Sequence, residues 1–338
     1  MNTQTRKATA LAFPNIALIK YWGNRDQSLR LPSNDSLSFN LGDLRTTTTV
    51  EFDPLLTRDE VSIDGYKVSA QAYERVAHHL DRLADYSDIA EIDCGERRDM
   101  SECRPRARVI SNNTFPMGVG IASSASGFAA LTLAACAALG IKKSESELSG
   151  LARLGSGSAC RSVPGGFVAW HDGYAVSIAP PAHWPLMDVI AVVSRAHKAV
   201  GSTEGHAMAD NSPLQAARLS DTQRRIRQCE EAIANTNFTL LAEVIEQDAL
   251  LMHGVIMTSQ PSVLYWEPAT LSVMRAVREL REDGLPVAFS IDAGPNVHCI
   301  CEAHALKQVK QAIRQIEGVL EVIESGVGGP ATVIPHQS

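Results

Sequence analysis

Hydroxyl, guanidinium, ammonium and carboxylate groups stand in this chain beside runs of small residues, a setting in which a backbone can close on an anion. The longest such stretch is Pro116-Met-Gly-Val-Gly-Ile-Ala-Ser-Ser-Ala-Ser-Gly127, followed at once by an alanine-rich apolar run. Ser123 and Ser124 add hydroxyl donors to the backbone amides. The run over 125–139 reads as a buried helix, so these donors stand at its N-terminus, where unpaired amides and the macrodipole attract phosphate. A flexible linker is the plain alternative, but a linker would not run straight into Phe128-Ala-Ala-Leu-Thr-Leu-Ala-Ala-Cys-Ala-Ala-Leu139. A Gly-x-x-x-x-Gly-Lys-Ser/Thr motif is absent, and Gly118-x-Gly120 lacks the third glycine and acidic residue of a dinucleotide fingerprint. The loop therefore holds phosphate by backbone and serine, and further chemistry has to come from elsewhere.

Four other segments offer it. Pro14-Asn-Ile-Ala-Leu-Ile-Lys-Tyr-Trp-Gly-Asn-Arg25 ends an apolar strand on Lys20, either a snorkelling lysine or a functional cation in a pocket. Gly155-Ser-Gly-Ser-Ala-Cys-Arg-Ser162 ends on an arginine that suits a second anion, and it also reads as a helix terminus with a capping glycine. Ser290-Ile-Asp-Ala-Gly-Pro-Asn296 places Asp292 after an apolar strand, as a general base or as a turn former. Gly326-Val-Gly-Gly-Pro330 reads as a turn or as backbone closing on a ligand.

The elements that must position these groups follow from patterning. Residues 8–63 read as strands, with Asp64 and Gly65 as a hairpin turn. Helical spacing covers 70–84, strand-like alternation covers 89–109 with a charged loop at 96–106, and Ser144-x-x-Glu147 caps a second helix. Beyond residue 200 helices dominate: one from Ser212-Pro213 toward residue 234, then 239–253 and 269–283. Strands at 286–291 and 297–302 bracket a turn, and a last helix covers 304–316. Cys299 and Cys301 share one strand face with His298 on the other, which suits core thiols better than a metal site. The order predicts an α+β protein of two lobes, 1–190 and 191–338.

Composition narrows the function. With 338 residues, 45% hydrophobic and 20% charged, this is an ordinary globular chain. A net charge of −7 and only 5% aromatics argue against a nucleic-acid partner. No apolar run is long enough to span a bilayer and 1–7 has no signal-like segment, so a cytoplasmic, membrane-free protein is expected. Seven scattered cysteines without C-x-x-C spacing indicate neither disulfides nor a zinc ribbon.

Taken together, Asn15-Ile-Ala-Leu-Ile-Lys-Tyr-Trp-Gly23, Ala122-Ser-Ser-Ala-Ser-Gly-Phe-Ala-Ala130, Gly155-Ser-Gly-Ser-Ala-Cys-Arg-Ser162 and Asp292-Ala-Gly-Pro-Asn296 resemble the mevalonate diphosphate decarboxylase family of the GHMP kinase superfamily. The resemblance covers about 8–333 and implies a two-lobed fold, ribosomal-S5-like then ferredoxin-like, with the active site in the cleft between. It implies ATP and Mg2+ as cofactors, a 5-phosphorylated mevalonate as substrate, and phosphorylation of the 3-hydroxyl followed by loss of phosphate and carbon dioxide. By the same resemblance Asp292 handles the hydroxyl proton, Lys20 stabilises the transferring phosphoryl group and favours ionised Asp292, and Arg161 with Asn15 grips the carboxylate. Gly118, Gly120, Ser123, Ser124 and Asn112 would hold the ATP phosphates, with Ser124 on Mg2+. Tyr21, Asn24, Arg25, Ser156, Ser158, Ser202 and Thr203 would line the 5-phosphate end.

The family usually reads Lys-Tyr-Trp-Gly-Lys; here Asn24 takes the last place. A lost charge-assisted contact of ~1.5–3 kcal/mol tips the expectation toward mevalonate 5-phosphate. Arg25 keeps the diphosphate open as the alternative. A kinase stopping at the 3-phosphate and a non-catalytic binder are the remaining alternatives, and a homodimer is expected.

Overall fold

The computed structural model describes residues 6–86, 104–116, 123–196 and 200–335. Strands and helices are segregated as in the expected α+β class. A six-stranded sheet runs in the order Thr332–Ile334, Arg6–Ala12, Thr46–Phe52, Ala107–Asn113, Glu60–Ile63, Tyr66–Lys67. All neighbours are antiparallel except Glu60–Ile63 beside Ala107–Asn113. Thr46, Thr48, Val50 and Phe52 alternate inward, as period-two patterning demands. The helix Ser123–Leu139 lies on this sheet and is buried on nearly every side, which its alanines allow by letting backbones approach.

A second sheet, Tyr174–Ala179, Phe167–His171, Ser36–Asn40, Asn15–Ile19, is antiparallel throughout. Its central strands are buried on both faces, and Ile16, Leu18 and Phe39 share one core with Ile226 and Ile245 of the helices Thr222–Ala234 and Phe238–Thr258. A third antiparallel sheet, Val287–Ile291, Val297–Glu302, Leu186–Val192, Glu321–Gly326, carries the helices Pro268–Glu282 and Leu306–Arg314. Cys299 and Cys301 are buried in that apolar layer, while His298 on the opposite face bonds Asp188 at 2.6 Å.

Several expectations change in detail. The lobe division at 190 falls inside the strand Leu186–Val192, and Thr332–Ile334 belongs to the first sheet rather than the second lobe. The helix expected from Ser212 breaks into Gln215–Ser220 and Thr222–Ala234 at Asp221, whose carboxylate bonds Arg224 and Arg225 one turn on. Gly326 to Pro330 packs against the chain itself. Its Gly328 N–H bonds Asn40 O at 2.7 Å, and a methyl on Gly328 would sit 2.7 Å from Gly42 Cα. The charged loop expected at 96–106 lies mostly outside the described residues; Arg104, which is among them, is buried and paired with Asp59.

Candidate active site

Lys20 follows the buried strand Asn15–Ile19, and its backbone is held at both ends. The amide donates to Asp248 Oδ2 at 2.6 Å, and the carbonyl accepts from Arg218 (2.7 Å) and Asn34 (2.9 Å). Asp248 is itself buried and paired with Arg225 at 2.8 Å. The Lys20 side chain, 2% exposed, ends 2.5 Å from Asp292 Oδ1. A buried ammonium requires a partner, and Asp292 supplies it from the turn after Val287–Ile291. His253 Nε2 lies 3.2 Å from Asp292 O; a carbonyl can only accept, so this nitrogen carries the proton. Burial pushes His253 down to about 4, which leaves it neutral.

Arg161 sits in the 3-10 turn Gly157–Ser162 and is buried. Its Nε donates to Asn15 Oδ1 at 3.2 Å, its Nη1 to Ser36 Oγ at 2.7 Å, and the group lies over Trp170. Asn15 in turn donates to Ser162 Oγ at 2.8 Å, so the guanidinium is oriented by a fixed polar frame. Burial lowers the Arg161 pKa against the opposing influence of Cys160 and Asp292. Its hydrogen-bond partners Asn15 and Ser36 are neutral and satisfy part of its fork without cancelling its charge.

These groups share one cleft of about 870 Å³. Lining it are Asn15, Lys20, Tyr21, Arg161 and Asp292, together with Ser123, Ser124, Ser156, Ser158, Ser202 and Thr203. Ser123 and Ser124 open the helix Ser123–Leu139, and Ser124 Oγ is 3.4 Å from Ser156 Oγ. A second, mainly apolar cavity of about 180 Å³ adjoins, lined by Val61, Ile63, Val76, Val109, Phe128 and Leu131 among others. Arg75, Ser123 and Ser124 line both, so the helix N-terminus forms the passage between them.

Three residues expected in the site stand elsewhere. Asn24 is buried behind Tyr21, accepting the tyrosine hydroxyl proton and donating to Gln27 at 2.8 Å. Arg25 turns outward onto exposed Asp172. Asn112 is exposed; strand alternation turns its neighbour Asn113 to the apolar cavity instead. Gly118 and Gly120 lie outside the described residues. Sequence reasoning missed Arg30, Arg75, Gln27 and His206, all lining the cleft. Isolated charges in a turn and on an amphipathic helix carry no motif. Among the described residues no group of three His, Cys, Asp or Glu side chains could hold a metal, and no helix is long and apolar enough to cross a membrane.

Comparison with known proteins fits this geometry. Residues 12–179 match the diphosphomevalonate decarboxylase-like N-terminal domain model, and 188–331 match the mevalonate 5-diphosphate decarboxylase C-terminal domain model. A diphosphomevalonate decarboxylase of Aspergillus fumigatus is 38% identical over 306 residues, 86% of this chain and 75% of that protein. A phosphomevalonate decarboxylase of Haloferax volcanii is 34% identical over 332 residues, 97% and 98% of the two chains. The crystal structure of mevalonate diphosphate decarboxylase from Staphylococcus aureus superposes with a TM-score of 0.88 at 32% identity, covering 98% and 99%. A structure described as MDDEF in complex with MVAPP, AMPPCP and magnesium gives the same TM-score, covering 98% and 100%.

Proposed function

Because this chain belongs to the mevalonate diphosphate decarboxylase family, with its two-lobed GHMP-kinase-like fold, we propose that its cleft decarboxylates mevalonate 5-diphosphate to isopentenyl diphosphate at the expense of ATP. As a member it is an ATP-dependent carboxy-lyase. The observation that carries the reading is the Lys20–Asp292 pair, 2.5 Å apart, in the same cleft as Arg161 and Asn15.

The nucleoside of ATP fits the apolar cavity, with its phosphates at the helix N-terminus beside Ser123, Ser124 and Arg75. Mg2+ would be held by the phosphates and the Ser124 hydroxyl, where it neutralises phosphate charge. Arg161 and Asn15 hold the substrate carboxylate, which directs the C3 hydroxyl toward Asp292. Asp292 accepts the hydroxyl proton as the C3 oxygen bonds to the γ-phosphorus and the bond to ADP breaks. Lys20 offsets the charge gathering on the transferring group. The C3–O bond then breaks, phosphate keeping the electron pair, and the C1–C2 pair becomes the C2=C3 alkene as carbon dioxide leaves. Hydroxide is a poor leaving group and phosphate a good one, which is why phosphorylation comes first.

The Aspergillus relative, the Staphylococcus aureus structure and the guanidinium group of Arg30 in the cleft support the diphosphate over the monophosphate expected from Asn24. Mevalonate 5-phosphate remains a second reading, favoured by the uncharged, buried Asn24 and by the nearly coextensive haloarchaeal relative. ATP-dependent carbon dioxide release, run in parallel on the two substrates, separates them by kcat/KM. Asp292→Asn should abolish ADP formation on either while leaving thermal unfolding in place; near-normal turnover would refute the base assignment.

A further inference from the structure

The last turn of the helix Glu145–Gly155 collects three guanidinium groups. Arg30 Nε (3.2 Å) and Arg82 Nη1 (3.1 Å) donate to Leu154 O, and Arg75 Nη2 donates to Gly155 O at 3.3 Å. Carbonyls at a helix C-terminus attract cations but offset only about half a charge. Among the described residues neither Arg30 nor Arg75 has a carboxylate partner, and burial lowers the pKa of both. Two desolvated like charges lining one cleft call for an anion.

Arg30 is fixed there by its turn. Leu29 N–H donates to Asp26 Oδ1 at 2.9 Å, Leu29 O accepts from Arg153, and Arg30 has φ of +50°, a conformation side chains rarely adopt. His206 lines the same cleft, its ring stacked on Tyr21 with centroids 4.0 Å apart. The Gly23 amide donates to His206 Nδ1 at 3.0 Å. An amide can only donate, so the ring proton is on Nε2. Burial, with Arg30 next in effect, pushes His206 down to about 3, so it is a neutral donor.

We propose that Arg30 and the Nε2–H of His206 grip the phosphoryl group at the C5 end of the substrate, Arg30 supplying charge where Asn24 has none. The assignment rests on the reading above for the identity of the ligand, but its test does not require turnover. Calorimetry on the full chain would measure binding of mevalonate 5-phosphate, mevalonate 5-diphosphate and MgADP to wild type, Arg30→Gln, Arg30→Lys and His206→Phe. Arg30→Gln should weaken a phosphorylated mevalonate roughly 10–100-fold and leave MgADP within about threefold. Arg30→Lys should retain part of the affinity. His206→Phe keeps the stack on Tyr21 but loses the donor, and should weaken binding about 5–10-fold. A loss confined to the diphosphate puts Arg30 on the distal phosphate; a loss on both ligands puts it on the proximal one. Unchanged affinity for both, or an equal loss for MgADP, overturns the proposal. Wild type that binds these ligands without releasing carbon dioxide would refute the catalytic reading and leave this assignment standing.

Discussion

Asp248 does not line the cleft, yet the geometry makes Asp248→Asn a sharp test of how Lys20 is held. Both Asp248 oxygens are used in a fully buried setting, one by the Lys20 amide at 2.6 Å and one by Arg225 Nε at 2.8 Å. An asparagine offers one acceptor and turns an NH2 toward the other donor. The change removes one charge-assisted bond, about 1.5–3 kcal/mol, and leaves a buried donor unmet, about 1–3 kcal/mol. Arg225 keeps Asp221 at 2.8 Å, so its charge is not stranded. The net expectation is about 3–5 kcal/mol, the range for breaking a buried pair. The freed amide also loosens the residue whose ammonium pairs with Asp292, so on the proposed mechanism kcat should fall at least about tenfold with KM for ATP little changed. Urea unfolding compared at equal slope measures the first effect, and steady-state ADP release the second. A loss below about 1 kcal/mol would refute the energetic reasoning. A full loss of stability with unchanged kcat would show that clamping the Lys20 backbone does not matter to the chemistry.

Other perturbations have equally definite outcomes. Arg161→Ala removes the proposed carboxylate clamp and strands Asn15 and Ser36, so kcat/KM should fall roughly a hundredfold (~3 kcal/mol); unchanged kinetics would remove it from the carboxylate site. A methyl on Gly157 would lie 2.7 Å from Tyr21 Oη, so Gly157→Ala should cost about 1–3 kcal/mol and displace Tyr21. Unaltered substrate affinity and stability would contradict that contact. His171 lies 3.1 Å from Asp35, and that hydrogen bond chiefly raises its pKa above 6.5. A group raised on folding stabilises fully below its unfolded pKa, and the contribution disappears as pH rises through the folded one. His171→Asn should therefore lower the urea midpoint at pH about 5.5 and not at pH about 8.5. The loss should be only about 0.5 kcal/mol because the pair is half-exposed. Equal losses at both pH values would refute the sign.

Much of the site was legible because its chemistry sits in short contiguous motifs. Lys20 ends its apolar strand, Arg161 ends its glycine–serine run, and Asp292 begins its turn where local patterning puts them. The Ser144 capping box and the helices at 70–84 and 123–139 follow from local physics as well. What was not legible depends on distant contacts. Arg75 sits among polar residues of an amphipathic helix, and only packing against the Ser123–Leu139 helix turns it to the cleft. Arg30 matters because its turn is tied to a helix end more than a hundred residues on. The Asn112 error is one of strand parity, where one residue reverses the face. Gly326 to Pro330 leaves both a turn and a ligand-closing backbone open in sequence, because sequence cannot reveal that Gly42 stands opposite Gly328.

The strand Thr332–Ile334 pairs Thr9, Ala10 and Leu11, completing a sheet whose other strands are made before residue 114. A ribosome therefore emits Lys20, Arg161 and Asp292 before this sheet can gain its Thr332–Ile334 edge. During synthesis the Arg6–Ala12 border of this sheet stays open until Thr332–Ile334 has left the exit tunnel. A nascent chain stopped at residue 331 would contain every residue that lines the cleft and lack the strand that borders Arg6–Ala12.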